Sequence, residues 1–347
     1  MNLPMRLAPH TGVYGVSFVF AAMSALLAQA LGRAPRKRLL WLLGLPLLIL
    51  LPALPEPETG GARAVVVQPN FSESAEWTAD SVGEAGRRLA YLSMAPALEV
   101  GARKPDLIVW PEMPAPLYYD TDPRFRETIA SLARLTRLPV LTGAVAHLAD
   151  GAVTNSALLI SAAGEPVSRY DKIHLVPFGE FVPWPLGFAS KISTETGDFR
   201  AGEKLVVSPV GEHRIGAFIC YESAFPGFVR RFARDGAEVL FNLSNDGYFG
   251  RSAARDQHLS LARMRAAENR RWILRPTNNG ITAAIDPAGR LTETLEAETE
   301  AVASMRYSYS RSTTLYTRYG DWFPAVCALF AAGALAAAAV PKYSPEG

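Results

Sequence analysis

"RIGAFICYESAFPG", residues 214–227, brings three apolar residues, Ala217, Phe218 and Ile219, up to a thiol, Cys220, followed by Tyr221 and a carboxylate, Glu222. An apolar run of this length bounded by turn-forming residues reads as a buried strand. The Pro226-Gly227 pair beyond it predicts that the chain turns there into another element. A strand that ends on a thiol beside a carboxylate raises the question of what architecture would place them together.

Outward from this stretch, strand-like runs recur: AVVVQ (64–68), DLIVW (106–110), PVLTGAVA (139–146), TNSALLIS (154–161), EVLFNLS (238–244) and WILRPT (272–277). Helical patterns fall between several of them, from Asp80 to Val100, Pro123 to Arg137, Phe225 to Arg234 and Ala253 to Glu268. Apolar strands alternating with helices predict α/β layers with buried sheets. No internal repeat or low-complexity tract interrupts them. In the last helix and just beyond it, Arg263, Arg265, Arg270 and Arg271 with Glu268 among them predict a solvated face.

Hydrophobic residues make up 49% of the 347 positions, and the excess lies at the two ends. Residues 12–31, GVYGVSFVFAAMSALLAQAL, carry no charge over a length that spans roughly 30 Å of hydrocarbon as a helix. A signal peptide competes with this reading, but the basic cluster Arg33, Arg36, Lys37, Arg38 follows the run instead of preceding it. The 16-residue run from Leu39 to Leu54 is short for a span, so a tilted or re-entrant segment is open; Trp322 to Val340 is a third uncharged run, with a buried Ala-rich helix as its alternative. Lysine and arginine bias puts residues 33–38 and Lys342 in the cytoplasm and everything from Leu54 to Asp321 outside it. The expected organisation is a membrane region of about two spans (1–55), a linker (56–61) within PEPETGG, a central domain (62–310), and a C-terminal membrane helix and tail (311–347).

A net charge of +2 with no basic block in the central domain argues against nucleic-acid binding. Of two cysteines, only Cys220 lies in the domain, so it has no internal disulfide partner and is either a small core residue or a reactive thiol. Polar residues stand where strands end: Glu112 after DLIVW, Lys172 and Glu180 in SRYDKIHLVPFGEFVP (168–183) after an apparent hairpin, and Cys220. Strand ends are where layered α/β proteins collect their sites. A thiol needs a base to become a nucleophile, and attack on an acyl carbon makes an oxyanion that an ammonium and a backbone N–H can stabilise. The five histidines, 10, 147, 174, 213 and 258, have no metal-ligand spacing; a Cys-His dyad through His174 or His258 is the alternative.

The order Glu, Lys, Cys in VWPEMPAP, YDKIHLVPFGEFVP and FICYESAFP, followed by NLSNDGYFG (242–250) and DQHLSLARMRAAENRRWILRPTNNGITAAIDPAGR (256–290), resembles the nitrilase, or carbon–nitrogen hydrolase, superfamily. Within it, LVPFGEFVP, SNDGYFG, QHLSLARMRAAE, RPTNNGITAAID and YTRYGDW resemble the apolipoprotein N-acyltransferases of the bacterial inner membrane, over about residues 62–340. The resemblance implies a four-layered α-β-β-α sandwich flanked by transmembrane helices, with the catalytic domain on the periplasmic side. It implies Glu112 as general base, Lys172 as oxyanion-stabilising group and Cys220 as the nucleophile that forms a thioester, with the Tyr221 N–H available to the oxyanion. Glu180 and Glu222 match further carboxylates, with positioning, electrostatic or purely structural roles open.

The implied partners are a phospholipid acyl donor, a diacylated lipoprotein acceptor and the membrane, without cofactor or metal, in a protein expected to be a monomer. Two departures stand against this pattern: the family carries a larger bundle of spans before the domain, and Tyr248 stands where it commonly has Trp. A membrane-anchored amidase, in which water resolves the thioester, is the alternative function. A non-catalytic scaffold is disfavoured because it has no need of Glu112, Lys172 and Cys220 together. The apolar loop after Lys172, with Phe178, Phe181, Val182, Trp184, Pro185, Leu186 and Phe188, is expected to line an acyl-chain groove, to dip into the membrane interface or to fold onto the domain's own core.

Overall fold

The structure, a computed structural model, describes residues 3–32, 48–54, 56, 60–72, 75–99, 103–183, 199–250 and 252–339. The Arg33–Arg38 cluster, most of the second apolar run, half of the linker, Trp184, Pro185, Leu186, Phe188 and Lys342 lie outside the described residues. Residues 55–313 form one compact unit, and residues 1–54 with 314–347 form another.

In chain order, α1 (Ala8–Leu31) precedes β1 (Ala62–Gln68), α2 (Ala79–Ala97), β2 (Leu107–Val109), α3 (Pro123–Thr136), β3 (Val140–His147), β4 (Val153–Ile160), β5 (Pro166–Asp171), β6 (Val207–Val210), β7 (His213–Ile219), α4 (Pro226–Arg234) and β8 (Val239–Leu243). Then come α5 (Ala254–Asn269), β9 (Ile273–Arg275), β10 (Ala283–Ile285), β11 (Leu291–Thr294), β12 (Ala301–Tyr307), α6 (Leu315–Tyr319) and α7 (Trp322–Ala339).

The twelve strands make two six-stranded mixed sheets, ordered β12-β1-β2-β3-β4-β5 and β11-β10-β9-β8-β7-β6. Side chains alternate across a strand, and here both faces are buried. Ala62, Ala64 and Val66 of β1 pack in the core shared by the two sheets, whereas Val65 and Val67 pack with Leu89 of α2 and Phe125 and Ile129 of α3. On the second sheet, Phe241 reaches the Tyr307 ring of the first, and Phe218, of opposite parity, reaches Phe232 of α4. The layers are therefore helices α2 and α3, first sheet, second sheet, helices α4 and α5, which is the α-β-β-α order expected. Near-continuous apolar runs, without alternation, are what such two-sided burial requires.

The expected strands and helices recur within a few residues of their predicted limits. β5, β6, β10, β11 and β12 escaped prediction: PVSRYD and LTET are largely polar, VSPV carries a proline tolerated on an edge strand, and AAI is three residues long. The solvated face expected for Arg265 and Arg271 is corrected. Arg265 is 1% exposed, with Nε 2.7 Å from Glu268 Oε2 and Nη1 donating to the Ser223 carbonyl. Arg271, 2% exposed, donates to the carbonyls of Ala237 and Ser312. Helical spacing shows which arginines share a face, not which face the protein covers.

In the smaller unit, Thr314 caps α6 by accepting from Thr317 N at 2.9 Å, and Trp322 Nε1 donates to the His10 carbonyl at 2.8 Å. The helical segments Pro4–Leu31 and Trp322–Ala339 are long and apolar enough to cross a membrane by length and composition.

Candidate active site

Glu112 lies just past the end of β2, in a segment that crosses β3 closely. A Cβ on Gly143 of β3 would stand 2.5 Å from the Pro111 carbonyl and 2.6 Å from Glu112 Cα, so only glycine lets the two backbones pass. Lys172 follows the last residue of β5, its N–H donating to the Asn155 carbonyl on β4 at 2.8 Å. The structure brings these side chains together in a buried cluster. Lys172 Nζ is 3.0 Å from Glu112 Oε1 and 2.9 Å from Glu180 Oε1, and the Asn155 amide donates to the same two oxygens at 2.7 and 2.8 Å. Backbone N–H groups hold the far oxygens: Asn245 donates to Glu112 Oε2 at 2.9 Å and Val176 to Glu180 Oε2 at 2.8 Å. Glu180 is turned inward by a tight loop in which its own N–H donates to the Val176 carbonyl, while Phe178, at φ +62°, points out half-exposed.

Burial alone would lower the Lys172 ammonium, but the charges of Glu112, Cys220 and Glu180 outweigh it and hold the lysine protonated well above its ordinary range. The Cys220 thiol goes up for two reasons: it is buried, and the Glu112 carboxylate opposes a thiolate, with Lys172 only partly compensating. The resting state is thus a neutral thiol beside a carboxylate and a permanent cation.

Cys220 begins a one-turn 3-10 helix, Cys220–Ala224, before Pro226 starts α4. Its φ of +47° is a left-handed conformation that a non-glycine residue adopts only when its surroundings enforce it. Glu222, fully buried, is one such restraint. Its Oε1 accepts from Tyr170 Oη at 2.5 Å, Ile173 N at 2.8 Å and His174 N at 3.1 Å, and its Oε2 from Ile219 N at 2.7 Å. It ties the residues after Lys172 to the turn that carries Cys220. Burial pushes its carboxyl up to about 7, with the bonds from Tyr170, Ile219 and His174 pulling the other way.

A second buried cluster lies behind the turn. His258 Nε2 is 3.0 Å from the Cys220 carbonyl oxygen and Nδ1 is 2.9 Å from Asp246 Oδ1; Arg275 Nη2 donates to both Asp246 oxygens at 2.9 Å. Burial would raise the Asp246 carboxyl, but Arg275 and His258 hold it well below the usual carboxylate range. His258 therefore meets Cys220 through its carbonyl, and His174 stacks on Phe225 at 4.1 Å, so the alternative Cys-His dyad finds no support in either. Among the described residues no group of three His, Cys, Asp or Glu is placed to hold a metal ion.

A cavity of about 830 Å³ opens beside the turn, lined by Ile173, Leu175, Phe181, Phe199, Tyr221 and Phe225 among others, with His174 and Arg200 as its polar groups. Its wall includes Ile173 and Tyr221, the chain neighbours of Lys172 and Cys220. Phe181 is in its wall; Trp184 is outside the described residues. Asn155, Asn245, Asp246 and Arg275 were not foreseen as site residues, and His258 was foreseen only as a partner in the alternative dyad. Their signal was available: Asn155 is an amide inside the apolar run of β4, and Asn245-Asp246 directly follow a buried strand end, as Glu112 and Cys220 do.

Residues 63–314 match the carbon-nitrogen hydrolase family. The chain is 35% identical to an apolipoprotein N-acyltransferase of Geobacter metallireducens over 95% of its own length and 66% of the relative's. It is 30% identical to one of Pseudomonas putida over 97% and 68%. It thus spans about two thirds of the length of the curated relatives it matches. Among solved structures it is similar to Saccharomyces cerevisiae Nit3, a member of branch 10 of the nitrilase superfamily, with a TM-score of 0.56, 17% identity, and coverage of 82% of this chain and 96% of the other. With two mixed sheets between helical layers and one glutamate, one lysine and one cysteine at their ends, the chain belongs to the carbon-nitrogen hydrolase family.

Proposed function

We propose that this protein is an N-acyltransferase that moves a fatty acyl chain from a phospholipid, through a thioester on Cys220, to the N-terminal amine of a diacylglyceryl-cysteine lipoprotein. The observation that carries the chemistry is the buried Glu112–Lys172–Glu180 cluster, electrostatically coupled to a protonated Cys220. The relatives' name, apolipoprotein N-acyltransferase, supports acyl transfer to an apolipoprotein amine.

Glu112 takes the thiol proton as Cys220 Sγ attacks the ester carbonyl, so the cluster keeps its total charge while the nucleophile forms. The acyl oxygen becomes an oxyanion, opposite which stand the Lys172 ammonium and the Tyr221 N–H. Because Lys172 stays protonated throughout, it acts as a fixed charge and never as the base. The intermediate collapses, the carbon–oxygen bond breaks, and Glu112 returns the proton to the lysophospholipid that leaves. The amine of the acceptor then attacks the thioester, gives its proton to Glu112, and expels Cys220, which recovers a proton. Glu180 and Asn155 hold Lys172 and Glu112 in register, and Glu222 fixes the lysine loop against the nucleophile turn. Phe181, Phe199 and Phe225 in the cavity wall offer apolar contacts that an acyl chain would use. In this reading α1 and α7 are membrane spans of an inner-membrane protein, with the domain on the periplasmic side.

Mass spectrometry of the purified protein after incubation with phospholipid is the test. A fatty-acyl mass on Cys220 that persists for minutes, and disappears when a diacylated lipopeptide with a free amine is added, is expected. No acyl mass would remove the mechanism, and rapid release of free fatty acid unaffected by the lipopeptide would make the protein a hydrolase.

A further inference from the structure

His258 uses both ring nitrogens on buried partners. The Cys220 carbonyl has no hydrogen to give, so Nε2 carries the proton and donates to it at 3.0 Å; this holds whether Nδ1 donates to Asp246 or accepts from Arg275, which lies 3.0 Å away. Asp246 and Arg275 are fully buried and His258 is 5% exposed. Ser244 Oγ adds a bond to Asp246 at 3.2 Å, and the Phe249 ring stands edge-on against the imidazole. The imidazole is therefore held on several sides.

The Cys220 carbonyl and the Tyr221 N–H belong to one peptide unit, and in a trans peptide they point in opposite directions. A histidine that fixes the carbonyl fixes the N–H as well. Tyr221 is in the first turn of the 3-10 helix, where N–H groups have no partner inside the helix. A flip of this peptide would turn a carbonyl towards a developing negative charge and strand the buried Nε2–H.

We infer that His258 is a positioning residue for acyl transfer: with Asp246 and Arg275 behind it, it orients the Cys220–Tyr221 peptide so that the Tyr221 N–H meets the oxyanion. The assignment rests on Cys220 forming a thioester and on nothing about the natural donor or acceptor. The experiment compares the wild-type protein with His258→Gln, whose amide donor has a similar reach, and His258→Met, of similar volume with no donor. Both variants lose the ring, so a packing loss is common to both, and a cooperative melting transition checks that each is folded.

Single-turnover acylation by a short-chain p-nitrophenyl ester, which passes through an oxyanion, should fall about 10- to 1,000-fold in the Met variant and recover substantially in the Gln variant. Alkylation of Cys220 by iodoacetamide, a displacement with no oxyanion, should stay within about twofold of wild type in both. Equal acylation rates in the Gln and Met variants would overturn the assignment, as would acylation and alkylation falling together. Failure of the wild-type protein to acylate at all would instead overturn the thioester on which both this inference and the proposed function rest.

Discussion

At Lys172 one ammonium faces two carboxylates, and this imbalance orders the chemistry. In the proposed reaction a third negative charge, on sulfur, is disfavoured until Glu112 gives up its own, so attack and proton transfer are coupled. Cys220→Ser should be folded and inactive, since a hydroxyl is harder still to deprotonate there; near-native turnover in single-turnover assays would refute the nucleophile. Glu112→Gln should block acylation, and Lys172→Met should slow it by about two to three orders of magnitude, as loss of one oxyanion donor does. Native-rate acylation in either variant would strip that residue of its role. Glu222 gives a pH signature. Its carboxyl sits near 7 against an ordinary 4.5, so its contribution to folding stability is full below 4.5 and is lost as pH rises through about 7. Its bonding runs the other way, because only the carboxylate accepts from all four donors without a proton of its own to place. Acylation should therefore rise through about pH 7 with no gain in melting temperature from that ionisation. Tyr170→Phe removes a bond that holds Glu222 down and should move the acid limb to higher pH; a limb that stays put belongs to another group.

At the scale of elements, the crossing of β3 by the Glu112 segment is the tightest constraint on the site. Gly143→Ala should displace Glu112 and cut the acylation rate with less effect on iodoacetamide alkylation, because the added methyl meets backbone that cannot swing aside. Unchanged acylation would show that the segment can shift freely. Below the Cys220–Ala224 turn, Arg265 and Glu268 form a buried ion pair, and Arg265→Ala should cost about 3–5 kcal/mol in a denaturant titration by breaking that pair. This helix also marks where the sequence was hard to read. Glu112 and Cys220 were legible because each ends an apolar strand, and Lys172 because it stands in YDKIHLVPFGEFVP, a stretch that carries the family resemblance. α5 and the residues just after it were not, since their arginines obey helical spacing and the cover over them comes from the Ser223 turn and the loop at Ala237 before β8, far away in sequence. The His258 cluster escaped for the same reason: Asp246, His258 and Arg275 come from a loop, a helix and a strand, and only the packed sheet brings them within 3 Å of one another. β10 and β11 were too short or too polar to stand out, and pairing, not propensity, makes them strands.

At the scale of the whole molecule, the two apolar helices give the topology test. Alkaline phosphatase fused after Gly61 should be active and fused after Arg38 inactive, from the lysine and arginine bias beside the spans; the reverse would contradict the lipoprotein reading. The site draws its parts from both sheets, with Glu112, Asn155, Lys172 and Glu180 on or after strands of the first and Cys220, Asn245 and Asp246 at strand ends of the second. The two sheets are not, however, finished in that order. β1 is paired on one side by β2 and on the other by β12, with Ala62 opposite Tyr307 and Gln68 opposite Ala301. On the ribosome the first strand of the domain thus waits for the last. Through the synthesis of more than two hundred residues, an edge bearing Val65, Val66 and Val67 stays open, and such an edge recruits strands from other chains. A nascent polypeptide arrested before residue 301 would hold every residue of the proposed chemistry and still be a substrate for aggregation and proteolysis, so quality control, not catalysis, would decide its fate.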